Sequence, residues 1–123
     1  MSASHLAALP AIAGQLVAAL KDYDDDVGRM VDAWPDMGHY QDISGQIEQI
    51  RMYCSALDET RVQWVELLII HAELTHVLWR SQYGGDRATP AQVLSVRERH
   101  ADCVLALRNR CARVVARAAQ RLY

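Results

Sequence analysis

From Leu6 to Trp34 the apolar side chains recur at alternating steps of three and four residues: Leu6, Leu9, Ala13, Leu16, Leu20, Tyr23, Val27, Met30 and Trp34. That spacing places one apolar residue per turn along a single side of a helix, the seam by which helices pack into bundles. The pattern returns twice. One seam runs Ile43, Ile47, Ile50, Cys54, Leu57, Arg61, Trp64, Leu68, His71, Thr75 and Leu78; another runs Val93, Val96, His100, Cys103, Leu107, Cys111, Val114, Ala118 and Leu122. No stretch alternates with the period of two that a half-buried strand needs. The chain is therefore read as all-α.

The helix ends are marked locally. Ser4 suits an N-cap, and Pro10 implies a kinked first turn or a start near Leu9. Trp34-Pro35 closes the first helix, because a residue before proline is pushed out of the α region, and Gly38 comes next in the turn. Gly84-Gly85 ends the second helix. Thr89-Pro90-Ala91-Gln92 opens the third, with a capping threonine, a proline at the first helical position and a glutamine three residues after the cap. These signals predict one domain, 1–123, built as an antiparallel up-down bundle of three long helices at about 4–34, 41–83 and 89–122. The second seam passes through Leu57-Asp58-Glu59-Thr60 without losing count, which favours one continuous helix. Asp58 is also a fair N-cap, and a break near residue 58 would make four helices.

A continuous second helix has consequences for association. It would be a rod of roughly 60 Å against roughly 45 Å for the first, leaving Ile43, Ile47 and Tyr53 short of cover. Between Trp64 and Ile70 it is apolar on nearly every side, and Ile70 and Val77 stand on the face otherwise held by Glu59, Gln63, Glu66 and Glu73. A helix apolar all round is buried all round, and exposed apolar surface of that size marks a contact site. Ile43, Ile47, Tyr53, Ile70 and Val77 are accordingly the expected contacts of a homodimer.

Composition excludes several classes. Half of the 123 residues are apolar and 23% are charged, too apolar for a disordered tail. The longest apolar runs, Leu16–Leu20 and Cys103–Leu107, fall far short of a bilayer span. The opening stretch has no basic region before its apolar part and carries Pro10, so no secretory signal is expected. Cys54, Cys103 and Cys111 are odd in number and lack metal-type spacing; reduced thiols in a cytoplasmic setting are the natural reading.

Charge is lopsided. The net −2 divides into a balance of −7 over residues 1–60, zero over 61–96 and +5 over 97–123. Arg110, Arg113, Arg117 and Arg121 form a stripe on the last helix, a candidate docking site for an acidic protein or a phosphate backbone. The simpler account is that the acidic first helix lies beside the basic last one. Asp22, Asp24, Asp25 and Asp26 lack the spacing and glycine of a calcium loop and read as a solvated face.

Chemistry would centre on Glu73-Leu-Thr-His76, a Glu-x-x-His pair of the kind that furnishes half of a di-iron site. The second pair that such a site requires is missing. His71 and His76, five apart, diverge by about 140° around the helix and cannot grip one ion together. His100 lies in an apolar seam and reads as a core histidine.

The run Ile70-His71-Ala72-Glu73-Leu74-Thr75-His76-Val77-Leu78 resembles the metal-binding helix of MazG-like nucleotide pyrophosphohydrolases. Arg97-Glu98-Arg99-His100-Ala101-Asp102-Cys103-Val104-Leu105 is similar to the facing helix of that all-α family. The resemblance covers about 35 residues, roughly 70–105. It implies magnesium or manganese held on a nucleoside triphosphate, with Glu73 and Asp102 at ligand positions and Glu98 at an acidic neighbour. His76 stands where the family has a second glutamate and Arg99 where it has a third acidic ligand. Magnesium prefers hard oxygen ligands, so these departures point to lost activity or a changed metal.

The sequence thus favours a non-enzymatic helical assembly module, homodimeric, with no cofactor and no membrane segment. A degenerate MazG-like hydrolase with Glu73, His76, Glu98 and Asp102 at its metal, and a nucleic-acid binder using the arginine stripe, are the two other readings.

Overall fold

The computed structural model describes residues 3–121, with side chains from residue 8 to residue 120. The side chains of Ser4, Leu6 and Arg121, and the whole of Leu122, lie outside that set. Four helices form: α1 (Ala3–Asp32), α2 (Met37–Ser55), α3 (Arg61–Gln82) and α4 (Pro90–Arg121), with a single 3-10 turn at Asp58–Thr60 between α2 and α3. No strand occurs among the described residues.

The expected continuous second helix is therefore corrected to two helices. α2 stops at Ser55, and Leu57 takes an extended conformation (φ −123°, ψ 87°). The hydroxyl of Thr60, fully buried, donates to the Leu57 carbonyl at 2.7 Å and lies 3.4 Å from that of Cys54. It adds a side-chain donor to carbonyls that already accept from the backbone N–H groups of Leu57 and Thr60. Asp58 opens the turn and caps nothing: the residue at the cap position is Leu57, without a side-chain bond. In place of one long rod there are segments of roughly 28 Å and 33 Å at 1.5 Å per residue.

The break also shifts the phase of the seam. α3 buries Leu67, Ile70, Leu74, Val77 and Leu78, while Arg61 and Leu68 are exposed and Thr75 is only half-buried. The inward stripe of α3 thus sits about one residue, or 100°, from a straight continuation of the α2 seam.

The other boundaries follow their local chemistry. α1 runs through Pro10 to Asp32, and the Trp34–Pro35 peptide in the turn after it is cis. Asp36 then caps α2 by accepting from the Gly38 N–H at 2.9 Å, which starts α2 at Met37, four residues ahead of the expected 41. Gly84 takes φ +99° after α3, a conformation glycine adopts without penalty. Thr89 and Gln92 form a reciprocal capping box: the Gln92 N–H donates to Thr89 Oγ1 at 3.1 Å, and the Thr89 N–H donates to Gln92 Oε1 at 2.8 Å.

α1 packs on α2 and on α4, and α3 packs on α4. Ala13, Leu16, Leu20, Tyr23, Val27 and Met30 of α1 are all buried, as its seam requires, and α4 contributes Val96, His100, Val104, Leu107, Cys111 and Val114. At one end Trp34, Tyr40 and Trp79 form an aromatic cluster, with Trp34 and Trp79 edge to face at 4.9 Å between centroids. Tyr40 stands in the first turn of α2 and Trp79 in the last turn of α3. Cys54 and Cys111 are buried, and burial pushes both thiols up to about 11.

Candidate functional site

Three features stand apart from the plain core: a buried polar chain, the charged groove between α3 and α4, and the outer surface of α3.

The buried chain begins at Asp24 on α1. Arg97 of α4 reaches over to it, with Nη2 3.1 Å from Asp24 Oδ1, while its Nη1 lies 3.0 Å from His100 Nδ1. His100 Nε2 is 2.7 Å from Tyr23 Oη, which in turn is 2.7 Å from His71 Nδ1 on α3. Two facts set the directions: a guanidinium only donates, and the hydroxyl proton of the fully buried Tyr23 has His71 Nδ1 as its acceptor. His100 Nδ1 therefore accepts, its Nε2 carries the proton and donates to Tyr23, and the Tyr23 hydroxyl donates to His71 Nδ1. Tyr23 and His100 are fully buried. Burial, aided by Arg97 and His71, pushes His100 down to about 3; burial also lowers His71 and raises Tyr23 far above its ordinary value. Both imidazoles are neutral at pH 7, and the chain ties α1, α3 and α4 together at one level.

Glu73, the leading metal candidate, forms an ion pair with Arg99, whose Nη1 stands 3.4 Å from Glu73 Oε2. Arg99 thus meets Glu73 with a positive charge at the point where the resemblance would set a third acidic ligand. Asp102 lines the same groove, a space of about 380 Å³ shared with Glu66, Ile69, Ile70 and Cys103. His76 lines a neighbouring groove with Arg80 and Arg99, and Glu98 is exposed. Among the described residues no three histidine, cysteine or acidic side chains come together as a metal would require, so Glu73, His76, Glu98 and Asp102 are not assembled into one centre.

The expected contact residues also need correction. Ile43, Ile47, Ile70 and Val77 are buried within the single chain, and Tyr53 is half-buried against the core. With α2 ending at Ser55 and α3 beginning anew at Arg61, these side chains are covered within the chain. The surplus lies elsewhere on the apolar run. Val62, Val65, Leu68 and Ile69 are 62%, 46%, 43% and 62% exposed. They succeed one another along the outer side of α3 at helical spacing, joined by exposed Ala72. The sequence carried the signal, since a helix apolar on nearly every side has an outside as well as an inside; the continuous-helix phase pointed to the wrong side.

Comparison with protein-family models, curated proteins and solved structures finds no match for the chain.

The arginine stripe is partly engaged. Arg110 donates to the Glu59 carbonyl at 3.0 Å and Arg117 pairs with the Glu59 carboxylate, so both brace the 3-10 turn. Arg113 is exposed. The contact between acidic and basic halves falls at Glu59 as well as at Asp24 of α1. No helix among the described residues is long and apolar enough to cross a membrane.

Proposed function

We propose that this chain is a non-enzymatic helical-bundle assembly module that pairs with a second copy of itself through the outer face of α3. The observation that carries this reading is the row Val62, Val65, Leu68 and Ile69, four exposed aliphatic side chains within eight positions of one helix, whereas the exposed Leu94, Leu105 and Val115 of α4 stand ten or more positions apart. Fully burying such a side chain contributes about 1.5–3 kcal/mol; as these are roughly half exposed, pairing would gain about half of that from each. Within each copy the helices run up, down, up and down. Trp34 beside Tyr40, Glu73 beside Arg99 and Glu59 beside Arg117 support that order, since each pair joins positions that approach from opposite chain directions.

Glu66, Glu73 and Arg99 flank the apolar row at the α3–α4 groove. A polar rim around an apolar strip is the usual anatomy of a protein contact. Antiparallel pairing about a two-fold axis level with residue 67 sets Val62 of one copy against the small Ala72 of the other and Val65 against Ile69, a self-complementary arrangement. A helix about 33 Å long offers only a few hundred Å² per partner, below the usual ~800 Å², so the affinity expected is micromolar.

Sedimentation equilibrium across the micromolar range tests the reading. A mass rising from one chain to two with concentration supports it. A single-chain mass up to several hundred micromolar, about −5 kcal/mol or weaker in affinity, refutes it.

A further inference from the structure

We propose that the Asp24–Arg97–His100–Tyr23–His71 chain is a pH-sensitive latch: it holds α3 against α1 and α4 while both imidazoles are neutral, and releases α3 when His71 takes up a proton in mild acid. The latch does not depend on whether the chain pairs with itself.

The direction of the hydrogen bonds decides where a proton can enter. His100 has no vacancy for one: its Nε2 already carries a proton toward Tyr23, and its Nδ1 accepts from a guanidinium at 3.0 Å. His71 is the entry point. It is only half-buried, and it is held by the Tyr23 hydroxyl, which donates to Nδ1 at 2.7 Å. A protonated imidazole donates from both nitrogens. Tyr23 would then face two donors, His100 Nε2–H and His71 Nδ1–H, and its own proton would have no imidazole left to accept it. The cost falls on a bond that is the polar tie between α3 and the rest of the core.

Nothing around His71 offsets the new charge among the described residues. From α1 the facing groups are Tyr23 and Asp24, and Asp24 is already committed to Arg97. From α4 they are His100 and Arg97, the latter a fixed positive charge. α2 turns Ile43, Ile47, Ile50 and Cys54 inward. Cys54 sits with Thr60 and Cys111, the latter about 16 Å along α4 from His100 at 1.5 Å per residue. On α3 itself Glu73 is turned outward to Arg99. The site has three potential cations and one anion.

Linkage gives the direction of the response. The folded state holds both histidines below the ordinary value, whereas a released α3 frees His71 to protonate near ~6.5. The closed form is therefore fully favoured above ~6.5. Below that the closed-to-open ratio falls about tenfold per pH unit for each proton taken up.

Amide hydrogen exchange along Leu67–Leu78, corrected for intrinsic rates, tests the latch at about pH 7.5 and about pH 5.5. The expected result is a loss of protection in α3 of about tenfold at the lower pH, ahead of Leu16 and Ile50 in α1 and α2. In His71→Gln, whose side-chain oxygen accepts from Tyr23 but takes up no proton, α3 should be equally protected at both pH values. Unchanged protection in the wild type, a loss shared equally by all helices, or a His71→Gln variant that opens as the wild type does would each overturn the proposal. Should His71→Gln fail to fold, the His71 ring resonance of the wild type decides. Titration well below ~6.5 in step with α3 opening supports the latch, and titration at ~6.5 with α3 still protected contradicts it.

Discussion

Tyr23 has one proton to give and two imidazoles to serve, and that shortage organises the polar centre of the molecule. His100 supplies the hydroxyl with a donor and His71 with an acceptor, so removing the oxygen strands both. Tyr23→Phe keeps the ring and its packing but leaves a buried N–H and a ring nitrogen unpaired, at about 1–3 kcal/mol for each unsatisfied group. The expected loss is about 2–4 kcal/mol in urea unfolding at pH 8, where both histidines are neutral; a loss under ~0.5 kcal/mol would show that the hydroxyl bridges nothing in solution. Sequence spacing places Tyr23 and His100 on inward seams, and both are buried there. It does not show the partnership, because Tyr23 is separated from His71 by 48 positions and from His100 by 77. Glu73 carries the converse lesson. Its spacing to His76 is a metal pattern on one helix, while Arg99 across the groove decides what the carboxylate meets.

At the scale of elements, the turn between α2 and α3 is closed by backbone hydrogen bonds, by the buried Thr60 hydroxyl and by two arginines on Glu59. Thr60→Val retains shape and burial but removes the 2.7 Å hydroxyl donor from the Leu57 carbonyl, which keeps the Thr60 N–H at 2.9 Å, and should cost about 0.5–1.5 kcal/mol by chemical denaturation. A neutral outcome would mean that the break needs no such support. The capping box is an independent check on α4. Thr89→Ala removes the acceptor of the Gln92 N–H and should cost about 1 kcal/mol, measured the same way. Caps and stops were legible: Thr89-Pro90-Ala91-Gln92 and Gly84 behave as their residue types dictate. The break was not legible from the count of threes and fours, since a 3-10 turn and an extended Leu57 leave that count intact while rotating α3 relative to α2. Polar residues in the supposed seam were the available clue. Arg61 and Thr75 fit poorly there, whereas Leu67, Ile70, Leu74 and Val77, on the neighbouring stripe, are apolar throughout.

At the scale of the whole molecule, the break between α2 and α3 converts a length surplus into a face. Ile43, Ile47, Ile70 and Val77 close the core of one chain, and Val62, Val65, Leu68 and Ile69 remain outside it. The sequence announced excess apolar surface on this helix but not which side would carry it, because the side depends on the rotation at Asp58–Thr60. Arg110 and Arg117 both contact Glu59 in that turn, so the last helix meets the chain where the rotation is set. Glu59→Ala should loosen the turn by no more than about 1 kcal/mol, as expected for an exposed ion pair; thermal unfolding would show it.

The central claim is that α3 presents a self-pairing face, and a charge placed on it is the most direct test. Sedimentation equilibrium of Ile69→Asp should give a single-chain mass at micromolar concentrations where the wild type gives two, with helix content unchanged. Leu94→Asp, equally exposed but on α4, should pair as the wild type does. Wild type and Ile69→Asp sedimenting alike, whether both as one chain or both as two, would contradict the account.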